Sequence, residues 1–274
     1  MHYEEMKVEK ILFITQEITP FVPVSSMGTA GQELLQTIQD KVKEIRTFTP
    51  LWGNINTRRN NLHEVIRLSG MNLIIDDTDH PLIIKVASLQ SARMQVYFIE
   101  NEDYFHNRLM ITDENGKEYE DNDERTIFFN LGVIEAVKKQ RWCPEIIHCC
   151  GWMSSLVPLY IRSAYKDEPS FRDSKIVISL FNDSFNEPFD EGFIRKLLCK
   201  DMNNEVLGGI SAPVNSTELA KLAIRNCDGV IINDNDVSPE LIEYAKAQGK
   251  AILPQEAIKE SENSCYEFYN SLFE

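Results

Sequence analysis

Ile11–Ala30 reads ILFITQEITPFVPVSSMGTA, and the fold turns on how this stretch is read. Ile11 to Thr15 is a short apolar run with β-branched residues, the composition of a buried strand. A loop punctuated by Pro20 and Pro23 follows, and apolar spacing predicts a helix from about Gly31 to Val42. Strand, loop and helix in that order form the unit that aims free helix N-terminal amides at an anionic ligand.

Outward from this unit the alternation continues. Strand-like runs lie at Lys10–Thr15, Glu44–Pro50, Leu82–Leu89, Met94–Ile99, Ile146–Cys149, Lys175–Phe181, Gly229–Asn233 and Ala251–Leu253. Several are apolar almost without interruption, as strands covered on both faces by helices must be. Helical patterns occupy Gly31–Val42, Asp121–Lys139, Met153–Ala164, Glu191–Leu198, Ser216–Asn226 and Ser238–Gln248. Asn122 or Asp123 caps the second of these, and Ser216 with Glu218 opens the fifth. Arg58–Pro81 reads as a hairpin, and Gln255–Glu274, with Tyr266, Phe268, Tyr269 and Phe273, as an amphipathic helix folded back on the body. The expectation is an α/β fold with a Rossmann-like, doubly wound, mainly parallel sheet. No linker, repeat or low-complexity tract divides it, so residues 1–274 are expected to form a single domain.

The 274 residues are 43% hydrophobic and 26% charged, enough for a sizeable core. A net charge of −15 argues against nucleic acid and anionic membrane surfaces as partners, because both are held by clustered Lys and Arg. No run of about 18 apolar residues occurs and Met1–Lys10 is charged, so neither a membrane span nor a signal peptide is expected and the location is cytoplasmic. Cys143, Cys149, Cys150, Cys199, Cys227 and Cys265 form no C-x-x-C pair and read as reduced thiols. His148 and Cys150 share one face of a strand, but two ligands do not make a zinc site, and no metal or cofactor is expected.

Beyond the first loop, further blocks carry a resemblance. The order Glu17, Pro20, Phe21 is similar to E-V-A-P-F-A-K-T-G-G-L, which opens bacterial glycogen and starch synthases. Thr49–Ile55 resembles their L-P-x-Y-G-x-I, Val96–Arg108 their V-Y-F-I-D-N-x-x-Y-F-x-R, and Tyr119–Phe129 their Y-x-D-N-x-E-R-F-x-F-F. Trp142–Trp152, with Leu156–Pro158, resembles W-x-P-D-I-V-H-x-H-D-W with its downstream L-V-P. Weaker matches continue through Lys175–Asn182 and Lys221–Asp228. The resemblance implies the first of the two Rossmann-like domains of a GT-B glycosyltransferase, with the second domain absent. The family moves glucose from ADP-glucose to the end of an α-glucan, and its second domain supplies most contacts to the nucleotide.

Where this chain departs from the family pattern, chemistry is lost. Pro23 stands in place of the lysine that meets the diphosphate, removing an ammonium and a backbone donor. Ser25 and Ser26 replace two glycines, Cys150 a histidine that contacts the transferred sugar, Gly151 an aspartate, and Phe181 a histidine. A thiol and a phenyl ring do not copy imidazole hydrogen bonds. Phe98, Tyr104, Phe105, Phe128, Phe129, Trp142, Pro144 and Trp152 read as scaffold. Arg125 either pairs with Asp121 or Glu124 or lines the cleft, and His148 reads as a satisfied histidine beneath it. Cys150 ends a strand where doubly wound folds bind ligands, yet only a helix N-terminus near Met153 would activate it as a nucleophile. No G-x-S-x-G elbow supports a hydrolase, and Gly208-Gly209 is not a dinucleotide fingerprint.

The sequence thus leads to a glycogen or starch synthase-like protein without autonomous glucosyl transfer, acting as a binding or regulatory module. Alternatives are an ADP-glucose-dependent transferase completed by a separate chain and a small enzyme of other chemistry using Cys150. The ligand-cleft candidates are Ser25, Ser26, Gly28, Cys150, Gly151, Trp152, Asn182 and Asp183, with no catalytic residue assigned. The ligand is a sugar nucleotide, a glucan or another small metabolite. The uncovered domain face leads to a homo-oligomer or a protein partner, with the C-terminal helix near the contact.

Overall fold

The computed structural model describes residues 7–89, 94–200 and 202–274; the charged opening, residues 1–6, lies outside them. Ten strands form one sheet: β1 (Lys10–Thr15), β2 (Glu44–Pro50), β3 (His63–Glu64), β4 (Met71–Ile75), β5 (Thr78–Leu89), β6 (Met94–Glu100), β7 (Ile146–Cys150), β8 (Lys175–Leu180), β9 (Gly229–Ile232) and β10 (Ala251–Leu253). The order is β10-β9-β8-β7-β1-β2-β6-β5-β3, with β4 also on β5. From β10 to β6 all pairs are parallel, whereas β5 runs antiparallel to β6, β3 and β4. The chain winds outward in both directions from β1, so the switch point lies between β1 and β7, where Thr15 faces Cys150.

The helices are α1 (Ser26–Ile38), α2 (Asn122–Lys139), α3 (Val157–Arg162), α4 (Gly192–Leu197), α5 (Ser216–Asn226), α6 (Pro239–Ala247), α7 (Gln255–Glu260) and α8 (Ser264–Ser271). Fourteen of the eighteen residues of α2 are buried, because strands and helices surround it. The anticipated scaffold aromatics Phe98, Tyr104, Phe105, Phe128, Phe129, Trp142 and Trp152 all belong to this core.

Several boundaries differ from expectation for identifiable reasons. α1 begins at Ser26 rather than Gly31, because Ser25 caps it. Gly31 stays within the helix because that face presses on Phe13; a Cβ there would lie 3.3 Å from the ring. The fifth predicted helix, α5, is capped by Asn215, whose side chain accepts from the Glu218 amide, not by Ser216. At the start of α2 the cap position is Asp121, without a side-chain cap bond. The hairpin expected over Arg58–Pro81 is displaced: Val65–Leu68 forms no strand, and β4 pairs instead with the start of β5 across a turn at Asp76 and Asp77, with φ 48° and 62°. The Met153–Ala164 pattern divides into a 3₁₀ turn at Trp152–Ser154 and α3, and the C-terminal segment into α7 and α8.

Arg125 takes neither expected carboxylate. It is fully buried, and its guanidinium donates to the carbonyls of Tyr104, Leu109 and Met110 and to Asn122 Oδ1 at 2.7–2.8 Å. Asp121 is instead held by both terminal nitrogens of Arg108. Arg125 therefore pins the Tyr104–Met110 loop rather than facing a ligand.

The aromatic face of α8, expected near a contact with another chain, is consumed within this one. Tyr266, Phe268 and Tyr269 are buried, and the Tyr266 hydroxyl reaches the Val8 carbonyl at 3.3 Å. No helix among the described residues is long and apolar enough to cross a membrane.

Candidate functional site

The carboxyl ends of β1, β7, β8 and β9 meet at the switch point, and β7 delivers His148, Cys150 and Gly151 there. His148 is fully buried, with Nδ1 2.7 Å from the Tyr269 hydroxyl and Nε2 2.7 Å from Ser179 Oγ. Burial pushes its imidazole down to about 3, so the ring is neutral and both nitrogens are engaged. Cys150 Sγ lies 3.5 Å from His148 Nε2, but burial pushes the thiol well above its ordinary range. A neutral thiol beside a neutral imidazole is not an activated nucleophile, and the Cys150 enzyme reading finds no support in this geometry.

Gly151 holds φ 83°, and a Cβ there would sit 2.5 Å from the Gln16 side chain. Gln16 occupies that space because its Oε1 accepts from the Met153 amide at 3.2 Å. The next amide, Trp152, donates to Asp183 Oδ2 at 2.8 Å, and the indole packs edge-on against Phe185 at 5.0 Å. Burial, with the nearby carboxylates Glu17 and Asp234 adding to it, pushes the Asp183 carboxyl up to about 6. Asn182 is exposed, and its backbone amide donates to Asp234 Oδ2 at 2.9 Å.

At the head of α1, Ser25 Oγ accepts from the Gly28 amide at 2.9 Å, using one of the donors an anion would need. Gly28 is a packing glycine, since a Cβ would lie 3.0 Å from Thr19 Oγ1 while its carbonyl accepts from the Thr19 amide.

The eight cleft candidates do not line one cavity. Ser25 and Ser26 border an open recess of about 460 Å³ with Val24, Asn233 and Asp234. Cys150 lines a second, of about 170 Å³, with His148, Ser179 and Cys265. Gly151, Trp152, Asn182 and Asp183 line a third, of about 140 Å³. Gly28 borders none of these three. Phe181 borders all three, so the ring standing where the family has a histidine is the partition between them. None of the described residues bordering the three recesses is a Lys or Arg. Sequence reasoning missed Gln16 and Tyr269, whose roles depend on cross-chain packing. It also missed Ser216, Thr217 and Ser238, whose place at the starts of α5 and α6 was the available signal. Among the described residues no group of three or more His, Cys, Asp or Glu is arranged to hold a metal ion.

Residues 10–252 match the family model described as the starch synthase catalytic domain. The chain is 32% identical over 221 residues to the glycogen synthase of Chlorobium luteolum, covering 80% of this chain and 44% of that one. It is 36% identical over 174 residues to the glycogen synthase of Chlorobium limicola, covering 63% of this chain and 36% of that one. The chain thus spans less than half the length of these curated relatives. In structure it is similar to the catalytic domain of starch synthase IV from Arabidopsis thaliana bound to ADP and acarbose, with a TM-score of 0.71 at 15% identity over 91% of this chain and 51% of that one. That likeness carries the fold, a Rossmann-like half of the GT-B architecture. Together with the match over residues 10–252, it establishes that the chain belongs to the starch synthase catalytic-domain family.

Proposed function

We propose that this chain is a glycosyltransferase-fold binding module that does not transfer glucose by itself. The observation that carries the reading is the absence of Lys and Arg from the described residues bordering the three recesses at the switch point. A departing nucleoside diphosphate requires positive charge or preorganised donors at its phosphates. Pro23 and the self-capped start of α1 offer neither. Cys150 and His148 are neutral and buried, so neither supplies charge to an oxocarbenium-like centre. The module binds a sugar nucleotide, a glucan or a related metabolite, in the cytoplasm, where its six free cysteines remain reduced.

Purified protein incubated with glycogen and labelled ADP-glucose or UDP-glucose is expected to incorporate no label. The Pro23→Lys, Cys150→His double variant is expected to do no better. Incorporation above the protein-free control overturns the proposal. A second reading, a transferase that works together with the other GT-B domain, is favoured by the match of residues 10–252 to the starch synthase catalytic-domain family. It predicts that label appears once a chain carrying the other GT-B domain is added.

A further inference from the structure

β4 lies on an open edge of the sheet. Ile84 of β5 turns its backbone away from β6, its carbonyl accepting from the Val65 amide at 2.8 Å and its amide donating to Ser69 Oγ at 3.0 Å. Leu82, two residues back along β5, points the same way and accepts from the Gly70 amide at 2.9 Å, so β3 and β4 lie along one side of β5. No strand among the described residues pairs with the other side of β4.

The register decides which groups face that open side. Asn72 stands opposite Pro81, which has no N–H, so the bonded pairs of this antiparallel ladder are Met71–Leu82, Leu73–His80 and Ile75–Thr78. The N–H and C=O groups of Asn72 and Ile74 therefore turn outward. Sheet edges are ordinarily blunted by Lys or Pro, but Met71–Ile75 reads MNLII, with neither charge nor proline. α2 packs against β4, where Leu73 and Ile75 are buried, whereas Ile74 is 66% exposed.

We propose that this edge pairs with β4 of a second copy of the chain, antiparallel, about a two-fold axis at Leu73. That axis sets Asn72 of each chain opposite Ile74 of the other, so every outward N–H and C=O of the two residues finds a partner. Moving the axis to Asn72 or to Ile74 leaves the other residue without one. The ends of the strand carry complementary charge, which is what selects a second copy over a foreign strand. Arg67, ahead of β4, and Asp77, just after it, are exposed and in no ion pair among the described residues, whereas Asp76 is held by Arg195. Antiparallel pairing brings Asp77 of one chain opposite Ser69 of the other, two residues from its Arg67, on both sides of the axis. The contact joins two ten-stranded sheets into one. So short an edge makes a small interface, and the dimer is correspondingly weak.

Sedimentation of the intact chain from about 1 µM to about 1 mM is expected to show a monomer passing into a dimer. Amide exchange locates the contact: Asn72 and Ile74 are expected to exchange fast in the dilute protein and slowly in the concentrated one, while Leu73 and Ile75 are protected in both. Ile74→Lys, at an exposed position, is expected to weaken dimerisation about tenfold, and Asn72→Lys serves in its place should that variant unfold. Arg67→Gln and Asp77→Asn are each expected to weaken it about threefold, and together by less than the product of the two. A monomer throughout, which would leave the edge to a strand of another protein, overturns the proposal. So does a dimer whose Asn72 and Ile74 amides stay unprotected, protection of those amides already in the dilute monomer, or undiminished dimerisation in a folded lysine variant. The readout is association, so label transfer in the glycogen assay would sink the non-catalytic reading and leave this contact standing.

Discussion

Gly151 leaves no room for a side chain, including the aspartate that the family resemblance would place there. Its φ is 83°, and the Gln16 side chain occupies the Cβ position, 2.5 Å away. Gly151→Asp is therefore expected to cost about 2–4 kcal/mol, read from the urea midpoint at unchanged slope. The two perturbed groups nearby oppose each other with pH. His148 titrates at about 3 when folded against about 6.5 unfolded, so its contribution is complete above pH 6.5 and drains as pH falls toward 3. Asp183 is raised to about 6 from 3.8, so its contribution is greatest below pH 4 and drains as pH rises through 6. Asp183→Asn should gain on the parent between about pH 4 and 6, by at most about 1.4 kcal/mol per pH unit. His148→Gln should lose less than the parent as pH falls from 6.5. Urea midpoints across pH check both, and a gap between variant and parent that ignores pH contradicts the assigned shifts.

At the scale of elements, Ser25 and Ser26 stand where the family keeps glycines, yet they build a helix start. The Ser25 cap predicts that Ser25→Ala costs about 1 kcal/mol, whereas Ser26→Ala is near neutral, measured as a difference in unfolding free energy. Equal losses at both positions would contradict the cap. Eight of the ten described strands were legible as strand-like runs, several of them nearly continuous in apolar residues, which leave little else for the chain to do. β3 escaped notice because both of its residues are exposed and carry no periodic signal. The start of α1 was misread because Gly28 and Gly31 look like loop residues until Thr19 and Phe13 are seen pressing on them. The departures at Cys150, Gly151 and Phe181 were readable in the chain. Their separation into three recesses was not, because it depends on where one phenyl ring lies. Ser216, Thr217 and Ser238 come to border the same recess as Trp152 through the winding of β8 and β9 beside β7.

Across the whole molecule, α8 ties the last residues to the first strand and to the switch point. Asn270 Oδ1 accepts from the Val8 amide at 2.9 Å, just ahead of β1, and the Tyr269 hydroxyl reaches His148 at 2.7 Å. Phe268 presses on β9 at Gly229, where a Cβ would lie 2.8 Å from its ring. Burial of an aromatic side chain contributes about 1.5–3 kcal/mol, so Tyr266, Phe268 and Tyr269 together hold a large share of the 5–15 kcal/mol typical of a domain. Truncation after Gln255 should remove that burial, leave His148 without its tyrosine partner and open the second recess, which Ser264 and Cys265 also line. The expected product is an aggregating protein without a cooperative melt, not a monomer freed from an oligomer. Light scattering and thermal unfolding of the truncated and intact chains distinguish these outcomes. A truncated chain that stays monodisperse and melts where the parent does would show α8 to be an appendage, and its aromatic face would return as a candidate for contact with another chain. A cooperative melt lowered by many degrees would instead show that the sheet folds as a unit without α8, which then adds stability rather than completing the fold.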